Sequence, residues 1–110
     1  MGMYTSFNFK LHMNRSQELM DLLPTLPLFE EISGWGRGKA DYDWEGNELI
    51  FGDRHGIKNY AQEIEKTITP LGKYLFTAYP RFDVIVGFTW YEGYDYPKYW
   101  YEDELENAYP

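Results

Sequence analysis

Two short groups of residues have side chains that could carry out acid–base or metal chemistry. In the first, Asp53-Arg54-His55, an imidazole that titrates near neutral pH stands beside a carboxylate that could orient it. Catalysis would also need a nucleophile or second ligand, and the neighbouring sequence holds no serine, cysteine or further histidine. His12, the other histidine, is distant in sequence. The pattern therefore favours a solvated loop in which Asp53 is a helix N-cap, and it predicts no catalytic residues.

The second group consists of four carboxylates around a predicted hairpin, Asp41, Asp43, Glu45 and Glu48. Carboxylate oxygens are the ligands that Ca²⁺ and Mg²⁺ prefer, but this spacing does not match an EF-hand loop. On a strand, Asp41 and Asp43 share one face, where charge also protects an exposed edge from aggregation. A solvated edge is favoured over a metal site, and we expect neither a metal ion nor a cofactor.

Nucleic-acid and phosphate sites are also disfavoured. The glycine-rich stretch Gly34-Trp-Gly-Arg-Gly38 precedes a predicted strand, whereas phosphate loops follow a strand and open a helix. Lys10, His12, Arg37 and Lys39 could meet on an open sheet face. The net charge of −8 nevertheless opposes direct nucleic-acid binding.

The C-terminal segment, residues 92–110, interleaves rings with carboxylates, and Lys98 is the only basic residue in it. Large rings are enriched where proteins meet partners, and carboxylates repel nucleic acid and membranes but attract basic surfaces. Together with the hairpin acids, the segment predicts a surface for a basic protein partner. The predicted partner-binding residues are Asp41, Asp43, Glu45, Glu48, Glu92, Tyr94, Asp95, Tyr96, Tyr99, Trp100, Tyr101, Glu102, Asp103, Glu104 and Glu106.

A structural explanation of the same segment stays open. A fifth strand or tail would bury the rings of residues 99–101 against Ile85 and Tyr91, but residues 102–106 should remain solvated because lone buried charges are costly. Homodimerisation through the aromatic surface is a further alternative.

Length and composition limit the class of protein to which this chain can belong. The 110 residues suit one domain with its own core, and the absence of cysteine excludes disulfides and suits a reducing compartment. Residues 1–40 carry balanced charge, whereas residues 41–110 carry six basic and fourteen acidic residues and hence the whole net −8. We find no apolar run near the ~20 residues of a membrane span, and no signal peptide. These features predict a cytoplasmic protein.

The first half of the chain predicts a strand, a helix and a hairpin. Residues 4–13 alternate, which predicts a half-buried strand with one core side: Thr5, Phe7, Phe9, Leu11 and Met13. Asn14 is the predicted N-cap of a helix that ends or kinks at Pro24 and Pro27. A strand over residues 35–44 and a turn at residues 45–47 lead into a returning strand at residues 48–51.

The second half predicts a helix and a strand. After a loop at residues 52–56, a helix starts at Ile57, with Ile64 and Ile68 on its apolar face. Helix is favoured to continue past Pro70, but a strand over residues 73–79, paired with residues 84–91, is the alternative. Residues 83–91 are rich in β-branched and aromatic residues, which indicates a strand.

This β-α-β-β-α-β order predicts an α+β protein with a ferredoxin-like split βαβ fold. We expect a four-stranded antiparallel sheet with both helices on one face. A further C-terminal strand around residues 99–101 is left open.

Residues 39–95 resemble the ferredoxin-like domain of small phage and plasmid proteins of the YubB type. The similarity lies in a helix that ends in Tyr79-Pro80 and a strand that closes on Trp90-Tyr-Glu-Gly-Tyr94. The chain departs from that family at Gly52-Asp-Arg-His-Gly56, where the family has Trp-Ser-Pro-Pro. The resemblance implies the fold and an origin on a mobile element, and it carries over no catalytic residues.

We therefore expect a non-enzymatic interaction protein that inhibits a basic nucleic-acid-handling partner by imitating nucleic-acid charge. Its size and acidity are similar to those of phage anti-CRISPR and anti-restriction proteins. One alternative is a small-molecule or nucleotide-binding domain, or a small enzyme that uses His12 and His55. Another is an immunity protein against a basic toxin.

Overall fold

The computed structural model describes residues 4–30, 40–59, 61–76 and 84–107, without the side chains of Arg54, His55, Glu106 and Asn107. Short 3₁₀ turns, Leu23–Thr25 and Gly72–Tyr74, follow the first two helices. In chain order the elements are β1 (Thr5–His12), α1 (Gln17–Leu22), β2 (Tyr42–Glu45), β3 (Glu48–Ile57), α2 (Glu63–Leu71), β4 (Ile85–Tyr91), β5 (Lys98–Tyr101) and α3 (Glu102–Asn107).

The five described strands form one antiparallel sheet in the order β2-β3-β1-β4-β5. The predicted α+β class is thereby confirmed. The element order is not a clean βαββαβ, because β5 and α3 follow β4 and β5 extends the sheet beyond it. The strand left open around residues 99–101 is therefore present as an extra edge of the sheet.

The core lies between one face of the sheet and the helices. All five residues on the predicted core side of the first strand are buried, and Phe9, fully buried, stacks on Phe51 with ring centres 5.3 Å apart. Leu19 of α1 and Ile64 of α2 belong to the same buried cluster, so both helices pack on this face. Burial of each such side chain stabilises the fold by about 1.5–3 kcal/mol.

The start of α1 corrects one prediction. Ser16, not Asn14, is the N-cap, and its hydroxyl oxygen accepts the Leu19 N–H at 3.1 Å. Asn14 instead donates its backbone N–H to the Tyr74 carbonyl oxygen at 2.8 Å, which holds it in extended chain at the end of β1. Pro24 lies at the start of the 3₁₀ turn that follows α1, a position where a missing N–H is tolerated.

The predicted loop at residues 52–56 is wrong, because β3 continues to Ile57. The pairing of β3 with β1 is irregular between Thr5 and Phe7, and the extra residues of β3 lie there. Among them is Gly56, whose φ is +79°. Asp53 accepts the Gly56 N–H at 3.2 Å, so it closes a local turn and is not a helix N-cap.

The helix predicted from Ile57 begins six residues later, at Glu63. Asn59 and Gln62, with φ of 52° and 57°, adopt left-handed backbone that breaks the chain between β3 and α2. After α2 the chain stays helical to Tyr74, which confirms the favoured interpretation to that residue. Leu75 then pairs with Met13 rather than with β4, and residues 77–79 lie outside the described part.

Candidate protein-interaction surface

Exposed apolar side chains concentrate on β4, β5 and the loop between them, together with Tyr4 beside that loop. Within the described ranges this set accounts for every large apolar side chain that is exposed: Tyr4, Val84, Ile85, Trp90, Tyr91, Tyr94, Tyr96 and Tyr99. We call this edge of the sheet, which has Trp90 on one face and Tyr91 on the other, the ring surface. Tyr94 and Tyr96 expose 68% and 80% of their area. Rings left in water in this concentration mark binding surfaces more often than isolated exposed residues do.

Hydrogen bonds fix the loop of the ring surface. Tyr94 donates its N–H to the Tyr91 carbonyl oxygen at 2.9 Å, and the Trp90 indole N–H donates to the Tyr94 carbonyl oxygen at 2.9 Å. The Tyr91 and Tyr94 rings meet edge to face, with centres 5.3 Å apart. Glu92 ties the loop to the start of the chain, because its N–H donates to the Tyr4 carbonyl oxygen and its carboxylate accepts the Tyr4 N–H. The loop is thus preorganised, which reduces the entropic cost of binding.

The alternation of β5 separates its rings. Tyr99 pairs with Phe88 and is half exposed, whereas Trp100 is turned to the core side, 6.4 Å from the Phe9 ring centre. The Trp100 indole N–H donates to the Thr89 hydroxyl oxygen at 3.0 Å. Tyr101 is half-buried. Tyr99 is therefore presented to a partner, while Trp100 anchors β5 to the domain.

The acids of the C-terminal segment likewise divide into exposed and buried side chains. Glu92, Asp95 and Glu104 are exposed, and Asp103 is half-buried. The expectation that residues 102–106 stay solvated is confirmed for Glu104 but wrong for Glu102, which is buried at 4% exposure, as is Leu105 at 1%. Residues three apart share one face of a helix, so the packing of Leu105 draws Glu102 inward with it. The Glu106 side chain lies outside the description.

The hairpin acids lie at the far edge of the sheet. Asp41, Asp43 and Glu45 are exposed, and Glu48, half-buried, lies 3.7 Å from the Lys10 ammonium. Four strand spacings of ~4.8 Å separate β2 from β5, a distance of about 19 Å. The structure therefore places the predicted partner-binding acids in two groups at opposite edges and does not bring them together.

The sheet face opposite the helices carries rings that our sequence analysis assigned no role. Phe7 and Phe9 point to the core as predicted, but β4 places Phe88 and Trp90 on the outer face, next to Asn8 and Ser6. A groove of about 410 Å³ runs there. The period-two alternation of β4 is the signal that could have identified these two rings.

The candidate catalytic and metal residues form no site in the described chain. His12 packs against the Phe76 ring at 5.0 Å between centres, and the His55 side chain lies outside the description. Among the described residues, no group of three or more histidine, aspartate or glutamate side chains could hold a metal ion. Nor is any helix in these ranges of a length and apolarity that would span a bilayer. The glycine-rich stretch and Arg37 and Lys39 fall outside these ranges.

No protein-family model, curated protein or solved structure matches this chain. The resemblance of residues 39–95 to YubB-type proteins stays a prediction.

Proposed function

We propose that this is a non-enzymatic interaction protein whose ring surface binds a basic, nucleic-acid-handling protein. The observation that supports the proposal best is the coincidence of exposed rings and exposed acids on one preorganised hairpin. Tyr94 and Tyr96, both more than two-thirds exposed, alternate there with Glu92 and Asp95. Rings supply desolvated anchors, while carboxylates select a basic partner.

The charge of the chain supports imitation of nucleic acid. A protein of net charge −8 attracts basic grooves over several ångströms and is repelled by nucleic acid itself. The acids of β2, at the other edge of the sheet, would steer the approach rather than share the anchored contact. In this proposal the protein occupies the nucleic-acid groove of its partner, as an anti-CRISPR-type inhibitor of a defence enzyme would.

The fold is compatible with a ferredoxin-like origin. We propose that β1 to β4 with α1 and α2 form a split βαβ unit, to which β5 and α3 are an addition. The addition and the loop that leads into it carry three residues of the ring surface, Tyr94, Tyr96 and Tyr99, so part of the binding function would be a local extension of a common scaffold. A phage or plasmid origin and a cytoplasmic location belong to the same proposal.

Affinity capture from a bacterial host lysate tests the function. We expect a nucleic-acid-binding protein to be retained at low salt, and to be released both by high salt and by added duplex DNA. The double variant Tyr96→Ala/Tyr99→Ala should lose it, and Asp43→Asn/Glu45→Gln on the far edge should retain most of it. If neither high salt nor added duplex DNA releases the captured protein, the proposal is contradicted. A captured basic toxin would instead identify an immunity protein.

The outer sheet face favours a second candidate function. Its groove joins the exposed Trp90 ring to the polar side chains of Ser6 and Asn8, a combination found in small-ligand sites. A nucleotide or other flat ring would stack on Trp90 there. Tritiated nucleotides in equilibrium dialysis, with Trp90→Ala as the control, distinguish this candidate from the first.

A further inference from the structure

A second cleft, of about 360 Å³, lies on the helix side of the sheet, between the start of α2 and the ring surface. Three rings and one carboxylate line it, those of Tyr91, Tyr94, Trp100 and Glu65. Its volume falls within the ~300–1,000 Å³ of small-ligand sites. Aromatic faces next to a carboxylate are the chemistry that recognises an organic cation.

The carboxylate is held in place. Asn59 accepts the Ile64 N–H through its side-chain oxygen at 2.9 Å, and its amide nitrogen donates to both Glu65 carboxylate oxygens at 3.1 and 3.4 Å. One asparagine in left-handed backbone thus fixes the first turn of α2 and aims Glu65. A carboxylate fixed in this way pairs with a cation at a lower entropic cost than a free one.

The rings are held as well. The hydrogen bond from Trp100 to Thr89 fixes the indole, and the edge-to-face contact fixes Tyr91 against Tyr94. Thr5, which is only 7% exposed and carries a hydroxyl group, lines the same cleft. That hydroxyl oxygen can accept an N–H from a ligand.

One cation, the Lys98 ammonium, already lies against a ring of this cleft. It lies 3.8 Å from the centre of the Trp100 ring, well inside the ~6 Å of a cation–π contact. Lys98 is exposed and has a flexible four-carbon chain, so its ammonium can leave the ring. A guanidinium is planar and less strongly hydrated than an ammonium, and it stacks better on aromatic faces.

We propose that this cleft binds the guanidinium group of an arginine side chain. The guanidinium displaces the Lys98 ammonium, stacks on Trp100 and donates hydrogen bonds to the Glu65 carboxylate. The source of that arginine, the basic partner, rests on the proposed function, because the cleft shares Tyr91 and Tyr94 with the ring surface.

The test uses a blocked arginine, N-acetyl-arginine-N-methylamide, titrated into the full chain. The indole N–H signal of Trp100 in ¹⁵N–¹H NMR spectra, assigned with Trp100→Phe, should shift with a dissociation constant on the order of millimolar, equivalent to about 4 kcal/mol. The matched citrulline compound, which has the same shape without the charge, should leave the signal unchanged. Equal shifts with both compounds would overturn the proposal. Binding of free arginine but not of blocked arginine would overturn the assignment to a partner's side chain.

Two variants with opposite expected effects test the mechanism. Glu65→Gln should weaken binding about tenfold, the equivalent of one charge-assisted contact of about 1.4 kcal/mol. Lys98→Gln should tighten binding several-fold, because the competing cation is gone. The control Glu45→Gln removes the same charge from the far edge and should change nothing. An unchanged or weakened affinity in Lys98→Gln would overturn displacement. In Glu65→Gln, the oxygen of the new amide group can still accept a hydrogen bond from Asn59. Thermal unfolding verifies that this variant folds.

The two proposals can fail separately. If the lysate partner is captured but blocked arginine does not bind, the cleft proposal is overturned and the interaction function stands. If blocked arginine binds but no partner is captured, the cleft proposal is supported as a cation site and the interaction function is overturned. If the single substitution Glu65→Gln abolishes capture of the partner, both the cleft proposal and the interaction function are supported.

Discussion

The two hairpins of the sheet use similar residues in different ways. The β2–β3 hairpin turns tightly at Gly46, whose φ is +62°, and keeps its rings covered: Tyr42 contacts Phe29 edge to face at 4.8 Å, and the Arg15 guanidinium lies 4.4 Å from the Trp44 ring centre. The β4–β5 hairpin has a longer loop, and Tyr94 and Tyr96 project from it into solvent.

The comparison shows that acids and rings together do not by themselves define a binding surface. Acids along β2 charge an edge strand, which protects it from pairing with other sheets. Their neighbouring rings already contact other side chains of the domain: Tyr42 contacts Phe29, and Trp44 contacts Arg15. Of these two hairpins, only the β4–β5 hairpin exposes rings and acids together, and that is where we expect a partner.

We expect the largest difference in stability between the loss of a buried ring and the loss of an exposed ring. Phe51 of β3 is 2% exposed and contacts Phe9 and Phe29, so Phe51→Ala should lower the free energy of unfolding by about 3–5 kcal/mol. Tyr99→Ala should cost less than about 1 kcal/mol because half of Tyr99 is in water. Urea denaturation measures both. Similar losses would mean that Tyr99 has a structural role.

Substituting one glycine in each hairpin by alanine should give a smaller difference in stability. A methyl group at Gly87 of β4 would collide with the Asn8 carbonyl oxygen and the Phe9 ring, so Gly87→Ala should cost about 2–3 kcal/mol. A methyl group at Gly46 meets open space, and Gly46→Ala should cost only the ~1 kcal/mol of a left-handed residue. The difference in urea midpoint between the variants is the measurement, and the reverse order would contradict this packing of β4 on β1.

Charge neutralisation should distinguish the hairpins by binding rather than stability. Glu92→Gln/Asp95→Asn should slow association with the captured partner about three- to tenfold at low salt, since exposed charges contribute ~0.2–1 kcal/mol each. Asp43→Asn/Glu45→Gln should have a smaller effect. Surface plasmon resonance at two salt concentrations measures both rates. Equal slowing by both pairs would indicate that the two edges contact the partner together.

Glu18 provides a reference acid outside both hairpins and should show the smallest effect. A hydrogen bond from Tyr74, followed by the nearby Lys73 ammonium at 3.3 Å, lowers the pKa of Glu18 below its ordinary 4.5. A lowered folded-state pKa gives stability that is present above the unfolded pKa and lost as pH falls through the folded pKa. The melting temperature of Glu18→Gln should therefore lie slightly below that of the native protein at pH 6, and the difference should shrink below pH ~4.5. A difference that persists at pH 2.5 would show that charge is not the cause.

The strands were easier to predict than the chain between them. The alternation in residues 4–13 identified the buried side of β1 because a period of two leaves one face for the core. Residues 52–56 were predicted as a loop because Gly52 and Gly56 are turn formers locally, but β3 continues through them, with Gly52 opposite Asn8 of β1 and Ile57 opposite Thr5. The start of α2 was placed too early for a related reason: Ile57 fits a helical face but is buried as a strand residue opposite Thr5.

Three features could be read without coordinates: the protein is acidic, its first strand has one buried side, and rings and carboxylates are concentrated in its C-terminal segment. These are properties of residue type and spacing. Which of those groups face water, and which lie on the same surface, followed from the folded arrangement of the chain. Strand order put the β2 acids at the edge opposite β5, and the packing of α3 buried Glu102, because both depend on contacts between residues far apart in the chain.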